Sequence, residues 1–307
     1  MTSASLDRFG FRTFQNRQAS EWILRLVSLI VLFVAVPAFY AFQYSVHQDL
    51  AGNLLSGKLV IELGVKYDNY SLYFPPVERI WFSLANQLHQ LTGVRLDLVA
   101  ILMTSASILF STELAYTIRK KTVGATPAFL IVSVLALTIL PIVFKNVFGL
   151  REHMVVLGLW PYIVLRASDP DCSKVSTSLR LLVGVWVGFT LLFKYLYAIA
   201  VLMIEIGDTL FQRDMKVLIR TENLLSGTIV FMYLLFWLGL QPDNWIALDA
   251  MKSAIDANLK SNADSLVNAA TALCVASAIL IAARMSGAEN RLIIIGFALV
   301  SAMILVA

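Results

Sequence analysis

Long apolar runs alternate with short charged segments along this chain of 307 residues. The runs cover residues 22–44, 98–118, 125–144, 154–165, 181–207, 224–240, 266–283 and 292–307. Several approach the length of about 20 residues that an α-helix needs to cross a bilayer. The pattern predicts an all-α fold, a polytopic transmembrane bundle. A membrane β-barrel would instead show short segments of alternating hydrophobicity.

Composition supports this class. Hydrophobic residues make up 59% of the chain, charged residues only 14%, and the mean hydropathy is +0.77. Soluble domains carry about 25% charged residues. Basic and aromatic residues are not interleaved as they are on nucleic-acid surfaces, so no nucleic-acid partner is predicted.

The Lys and Arg positions predict the orientation of this single transmembrane domain, residues 1–307. With residues 1–21 as a cytoplasmic tail, the basic clusters at 119–121, 166–180, 213–220 and 284–291 all fall inside, as the positive-inside rule requires. Residues 45–97 and 241–265 then form two outer loops. The last apolar run stops at Ala307 without a polar tail, which suggests a missing C-terminal region.

The run at 181–207 has Lys194 at its centre. Each half is too short to cross the membrane upright. Two tilted helices or a re-entrant hairpin, with Lys194 at the tip near the outer face, agree with the distribution of basic residues. The alternative is one long tilted helix with a buried Lys194.

The first outer loop is predicted to hold an amphipathic helix at residues 78–92. Pro75 and Pro76 mark its start, because proline cannot continue a helix backwards. The apolar positions of this segment recur at helical spacing, which is typical of a helix lying in the membrane interface. They are Ile80, Trp81, Leu84, Leu88 and Leu91.

Candidate chemistry gathers on the predicted outer face. Asp49 and Asp68 are carboxylates close to apolar sequence, and Lys194 approaches the same side. The turn at 145–153 adds Lys145, Arg151, Glu152 and His153. A base beside several cations suits transfer from a lipid-linked phosphate. The alternative is that the two aspartates are solvated, the turn's cations reach lipid headgroups, and Glu152 pairs with one of those cations.

Three sequence motifs resemble a known family. FGLREHMVVLGLWPYIVL (148–165) resembles the FGQREH turn, Leu-rich span and Pro-Tyr of bacterial polytopic GT-C-type glycosyltransferase-like proteins. HQDLAGNLLSGKL (47–59), followed by YDN and FPP, is similar to the first outer loop of that group. FKYLYAIAVLMIEI (193–206) resembles its lysine-centred hairpin.

The resemblance implies an inverting glycosyltransferase that uses a polyprenyl-phosphate-linked sugar at the periplasmic face of a bacterial inner membrane. It implies Asp49 as the first choice for general base and Asp68 as the second. Glu152 would orient Arg151 or His153, and Glu205 would be structural. The implied ligands of the donor phosphate are Lys145, Arg151, His153 and Lys194.

The implied acceptor is a lipid or a polysaccharide, and membrane lipids surround the protein. No cofactor is predicted, although a divalent cation stays open. A lipid-linked sugar flippase or transporter and a non-catalytic membrane subunit are the competing interpretations. Sugar transfer requires Asp49 or Asp68 to lie within about one lipid headgroup of Arg151. A transporter would instead need a polar path to the inner face.

Overall fold

A computed structural model describes residues 19–43, 48–62, 76–143, 148–169, 173–194 and 197–239. Within these ranges the backbone is helical apart from short turns, and no β-strand occurs. The predicted all-α class is therefore confirmed for this part of the chain. Most of the predicted cytoplasmic tail, the loop at 241–265 and the last two apolar runs lie outside the described residues.

Nine α-helices follow one another in the described ranges. They are α1 (Ala19–Phe42), α2 (Gln48–Glu62), α3 (Pro76–Thr92), α4 (Leu96–Thr122), α5 (Pro127–Val143), α6 (Arg151–Ser168), α7 (Thr177–Leu191), α8 (Ala198–Gln212) and α9 (Thr221–Gly239). Of these, α1 and α4 are long and apolar enough to cross a membrane, whereas α5, α7 and α9 are apolar but shorter. The described residues thus contain two full-length candidate spans.

Helix α4 is central, with contacts to α1, α3, α5 and α6. Helix α6 packs in turn on α7, and α7 packs on α9. Helices α6 and α7 approach closely at Gly158, where a Cβ atom would lie only 1.7 Å from Thr190 Oγ1. Pro161 of α6 cannot donate a hydrogen bond to Leu157 O, and Trp186 Nε1 of α7 donates to that carbonyl instead. The carbonyl that Pro161 leaves without a helical donor is thus used for a hydrogen bond between α6 and α7.

The structure corrects the prediction for the first outer loop. Residues 78–92 are helical as expected, within α3, but residues 48–62 form a second helix, α2, that packs against it. The two backbones meet at Gly57, where a Cβ atom would lie 2.5 Å from Phe82 C. Asn86 Nδ2 donates to Leu54 O at 3.1 Å across the same contact. The described residues of this segment therefore form a hairpin of two packed helices, one more than the sequence predicts.

Lys194 lies between two helices, as one interpretation of residues 181–207 expects. Helix α7 ends at Leu191 and α8 begins at Ala198. Glu205 of α8 returns to Arg166 at the C-terminal end of α6. The chain therefore folds back at Lys194, and the alternative of one long helix is wrong.

The two ends of the bundle carry different charged groups. At one end, Lys120 of α4 pairs with Glu21 of α1 at 2.9 Å, and Lys174 donates to Thr122 O. At the other end lie Arg151 and its neighbours. Arg151 and Arg166 are 15 residues apart in α6, which separates their backbones by about 22 Å along the helix axis. Helix α6 thus connects the two ends.

A buried polar network joins α6, α7, α8 and α9 at the Arg166 end. The Arg166 side chain is 1% exposed and donates to Glu205 at 2.6 Å and to Glu222 at 2.7 Å. Arg180 binds the other oxygen of Glu222 at 2.8 Å. Asn223 Nδ2 donates to Glu205 Oε2 at 2.6 Å. The expected structural role of Glu205 fits these contacts, whereas Arg166 is a core residue rather than part of an inner turn.

Replacing Arg166 with alanine is expected to destabilise the protein by about 3–5 kcal/mol, because two buried carboxylates would lose their shared cation. Thermal unfolding in lipid nanodiscs, followed by circular dichroism, measures this loss. Arg95→Ala is the matched control, since Arg95 pairs with Asp97 at an exposed position, where such pairs contribute about 0–1 kcal/mol. Equal stability of the two variants would contradict the expectation.

Candidate active site

A cavity of about 380 Å³ lies where α2 and α6 begin. Its size falls within the range of about 300–1,000 Å³ that is usual for ligand pockets. Most of the lining residues are polar or charged; the full set is Gln48, Asp49, Gly52, Asn53, Ser56, Leu150, Arg151 and Glu152. The cavity therefore brings together the first-choice base of the sequence analysis, Asp49, and one of its phosphate ligands, Arg151.

Asp49 occupies the first turn of α2 and is exposed. A carboxylate open to the cavity can accept a proton from a bound hydroxyl. The position suits the general-base role that the resemblance implies.

The turn before α6 is fixed by buried groups. Gly149 has φ = +80°, a left-handed conformation that favours glycine. Phe148 is buried and contacts the rings of Tyr40 and His153. Leu150 is also buried. These residues hold the first turn of α6, so that Arg151 and Glu152 point into the cavity.

His153 does not suit the role of phosphate ligand that the sequence suggests. Its side chain is buried, and Gly149 N–H donates to Nδ1 at 3.1 Å. The ring proton is therefore assigned to Nε2, which lies 2.9 Å from Leu137 O. That carbonyl lacks its usual helical donor because Pro141 stands four residues later. His153 thus satisfies a carbonyl freed by a proline.

Glu78 lies behind the cavity wall and was not singled out by the sequence. Its side chain is only 2% exposed, and Oε1 accepts a hydrogen bond from Asn53 Nδ2 at 2.6 Å. Its other oxygen, Oε2, lies 3.7 Å from Arg151 Nε and accepts no hydrogen bond. Glu78 therefore contacts two side chains that line the cavity.

Burial raises the pKa of Glu78 to about 7, because desolvation penalises the charged carboxylate. The positive charges of Arg151 and Arg79 oppose this rise in pKa, whereas the negative charges of Glu152 and Asp49 add to it. Glu78 consequently changes its charge near neutral pH.

Glu152 joins Lys194 to the edge of the cavity. Lys194 Nζ donates to Glu152 Oε1 at 3.0 Å, and both side chains are partly exposed. The ion pair connects the turn after α7 to the start of α6. The sequence expects Glu152 to orient Arg151 or His153, but the contact with Lys194 makes Lys194 its more direct partner.

Two predicted site residues lie outside the described part of the chain. Asp68, the second-choice base, and Lys145, a predicted phosphate ligand, both fall in ranges that the structure does not describe. Within the described ranges, no group of three or more His, Cys, Asp or Glu side chains is arranged to hold a metal ion. The roles of Asp68 and Lys145 stay predictions.

Glu78, but not Asn53, had a signal in the sequence. Glu78 lies two residues after Pro76, and the exposed apolar stripe of α3 consists of Ile80, Leu84 and Leu91. Glu78 lies off this stripe, on the side that faces the bundle. The contact with Asn53 depends on the unpredicted helix α2.

The chain matches no protein-family model, no curated protein and no solved structure. The family resemblance of the sequence therefore stays a prediction. Any functional conclusion depends on the residues and their arrangement around the cavity.

Proposed function

We propose that the protein is a polytopic, GT-C-like glycosyltransferase of a bacterial inner membrane. It moves a sugar from a polyprenyl-phosphate donor to an acceptor hydroxyl on the periplasmic face. The acceptor is a lipid or a polysaccharide, and the reaction inverts the configuration of the anomeric carbon. One observation carries the proposal: Asp49 and Arg151 line the same cavity.

The exposed surface supports a membrane location. Large apolar side chains are exposed along α1, as Trp22 and Leu26 illustrate, and on the Ile80 stripe of α3. Apolar patches of this extent are expected to face lipid or another protein. With α1 and α4 in the bilayer, α3 lies at the level of the headgroups and the cavity opens near the outer surface.

The basic residues support the proposed orientation. The cluster Arg119–Lys121 ends α4 at the end of the bundle opposite to Arg151. The positive-inside rule assigns that basic end to the cytoplasm. The cavity would then face the periplasm, where lipid-linked sugar donors are used by enzymes of the proposed class.

Each side chain has a distinct task in the proposed reaction. Asp49 accepts the proton of the acceptor hydroxyl while the oxygen of that hydroxyl forms a bond to the anomeric carbon. The bond from that carbon to the phosphate oxygen breaks, and polyprenyl phosphate leaves with the electron pair. Arg151 stabilises the charge that develops on the phosphate, with Lys194 as a second cation. Glu152 positions Lys194.

The test is transfer by the purified chain in nanodiscs. Radiolabelled polyprenyl-phosphate sugars are supplied with envelope lipids and polysaccharide as acceptors, and the product is analysed for anomeric configuration. A product of inverted configuration supports the proposal. No transfer from any donor, together with movement of the labelled lipid between leaflets in liposomes, would favour the transporter interpretation instead.

A further inference from the structure

We propose that Glu78 is a positioning residue that couples the binding of the donor phosphate to the uptake of one proton. This inference rests on the proposed function, because it assigns the anion at the cavity to the phosphate of the lipid donor. It concerns a residue that does not itself line the cavity. Glu78 acts through Asn53 and Arg151.

The geometry gives Glu78 two different contacts. Oε1 accepts a short hydrogen bond from Asn53 of α2, whereas Oε2 makes the longer ion pair with Arg151 of α6. The carboxyl group of Glu78 thus connects α2 and α6, the two helices whose N-terminal parts line the cavity. The contact with Asn53 does not require a charge on Glu78, since a neutral carboxyl oxygen also accepts a hydrogen bond.

An anionic ligand and the Glu78 carboxylate compete for the same guanidinium. When Glu78 is ionised, it attracts Arg151 away from the ligand and repels the ligand's negative charge. When Glu78 is neutral, one of these competing anions disappears. The buried position of Glu78 makes the neutral form accessible near pH 7, and a bound phosphate would favour that form further.

The charged groups that act on Glu78 come from three helices and carry both signs. Arg79 belongs to its own helix, Asp49 belongs to α2, and Arg151 and Glu152 belong to α6. Two of the four are acids that already oppose ionisation of Glu78. An additional anion in the cavity would shift the balance toward the protonated carboxyl group.

The experiment measures binding of a farnesyl methyl phosphodiester to the whole chain in nanodiscs. A phosphodiester carries one negative charge throughout the pH range used, so the ligand does not titrate itself. For the unchanged protein, Kd is expected to rise by up to about tenfold per pH unit above pH 7. Calorimetry in two buffers of different ionisation enthalpy should show uptake of about one proton per ligand at pH 8.

Glu78→Gln should remove both the pH dependence and the proton uptake, because the amide still accepts the hydrogen bond from Asn53 but does not titrate. Its Kd at pH 8 should approach that of the unchanged protein at pH 6. Glu78→Asp keeps a titratable group and should retain a pH dependence. Asp97→Asn is the control, since Asp97 pairs with Arg95 outside the cavity and its loss should leave the proton uptake unchanged.

Three outcomes separate this inference from the proposed function. Binding by the unchanged protein without proton uptake overturns the role of Glu78, as does an unaltered pH dependence in Glu78→Gln. If Glu78→Gln fails to fold, the calorimetry of the unchanged protein still decides whether phosphodiester binding takes up a proton. If Arg151→Ala binds the phosphodiester as well as the unchanged protein does, the proposed phosphate site itself is wrong.

Discussion

Arg151→Ala is expected to lower the rate of sugar transfer by about a hundredfold to a thousandfold, because the leaving phosphate would lose its main stabilising cation. Removal of one preorganised donor to a developing anion typically has an effect of this size. Arg151 is partly exposed at the start of α6, so the loss of its side chain should leave the fold intact. Transfer from a radiolabelled polyprenyl-phosphate sugar in nanodiscs measures the effect.

Arg95→Ala is the matched control for the loss of positive charge. Arg95 lies at the same end of the bundle, next to the N-terminus of α4, but does not line the cavity. Its activity should stay close to that of the unchanged protein. If Arg151→Ala retained full activity while expressed normally in the membrane, the proposed phosphate site would be rejected.

Asp49→Asn is expected to lower transfer by about 10²–10⁴-fold, the usual effect of removing a general base. The amide has nearly the same size as the carboxylate but cannot accept the proton of the acceptor hydroxyl. Donor binding should change little, because the phosphate is assigned to Arg151. The combination of lost transfer and retained donor binding would distinguish a base from a phosphate ligand.

Asp97→Asn provides the matched loss of a carboxylate at the same end of the bundle, and its activity should be unaffected. Unchanged transfer by Asp49→Asn would remove Asp49 as the base. Asp68→Asn would then be the next variant to measure, since Asp68 is the second choice of the sequence analysis.

Hydrophobic runs and charge placement were sufficient to predict the helical class, and they favoured a turn at Lys194. One long helix with a buried Lys194 was the open alternative, and a charge in the hydrocarbon core is costly. Helix α2 was missed because its apolar residues do not form a clear stripe. It is stabilised instead by its contact with α3 at Gly57, which no local pattern reveals.

The charge distribution also predicted one part of the candidate site. It assigned Asp49 and Arg151 to the same predicted face of the membrane, and both residues line the cavity. The contacts of Glu78 could not be predicted, because Asn53 and Arg151 approach it only after folding. The resemblance implies His153 as a phosphate ligand, but its buried ring lies 2.9 Å from Leu137 O, a carbonyl that Pro141 leaves without its helical donor.

The network around Arg166 fixes the position of α6 along its axis. A slide of α6 by one helical turn, about 5.4 Å, would separate Arg166 from both of its carboxylates. Such a slide is therefore strongly disfavoured, so α6 and its residue Arg151 do not shift along the helix axis. The hairpin of α2 and α3 packs on α4 through a buried apolar cluster and meets Arg151 through Glu78, whose Oε2 lies 3.7 Å from Arg151 Nε. In the proposed function, the donor phosphate would therefore meet a guanidinium whose helix is fixed along its axis.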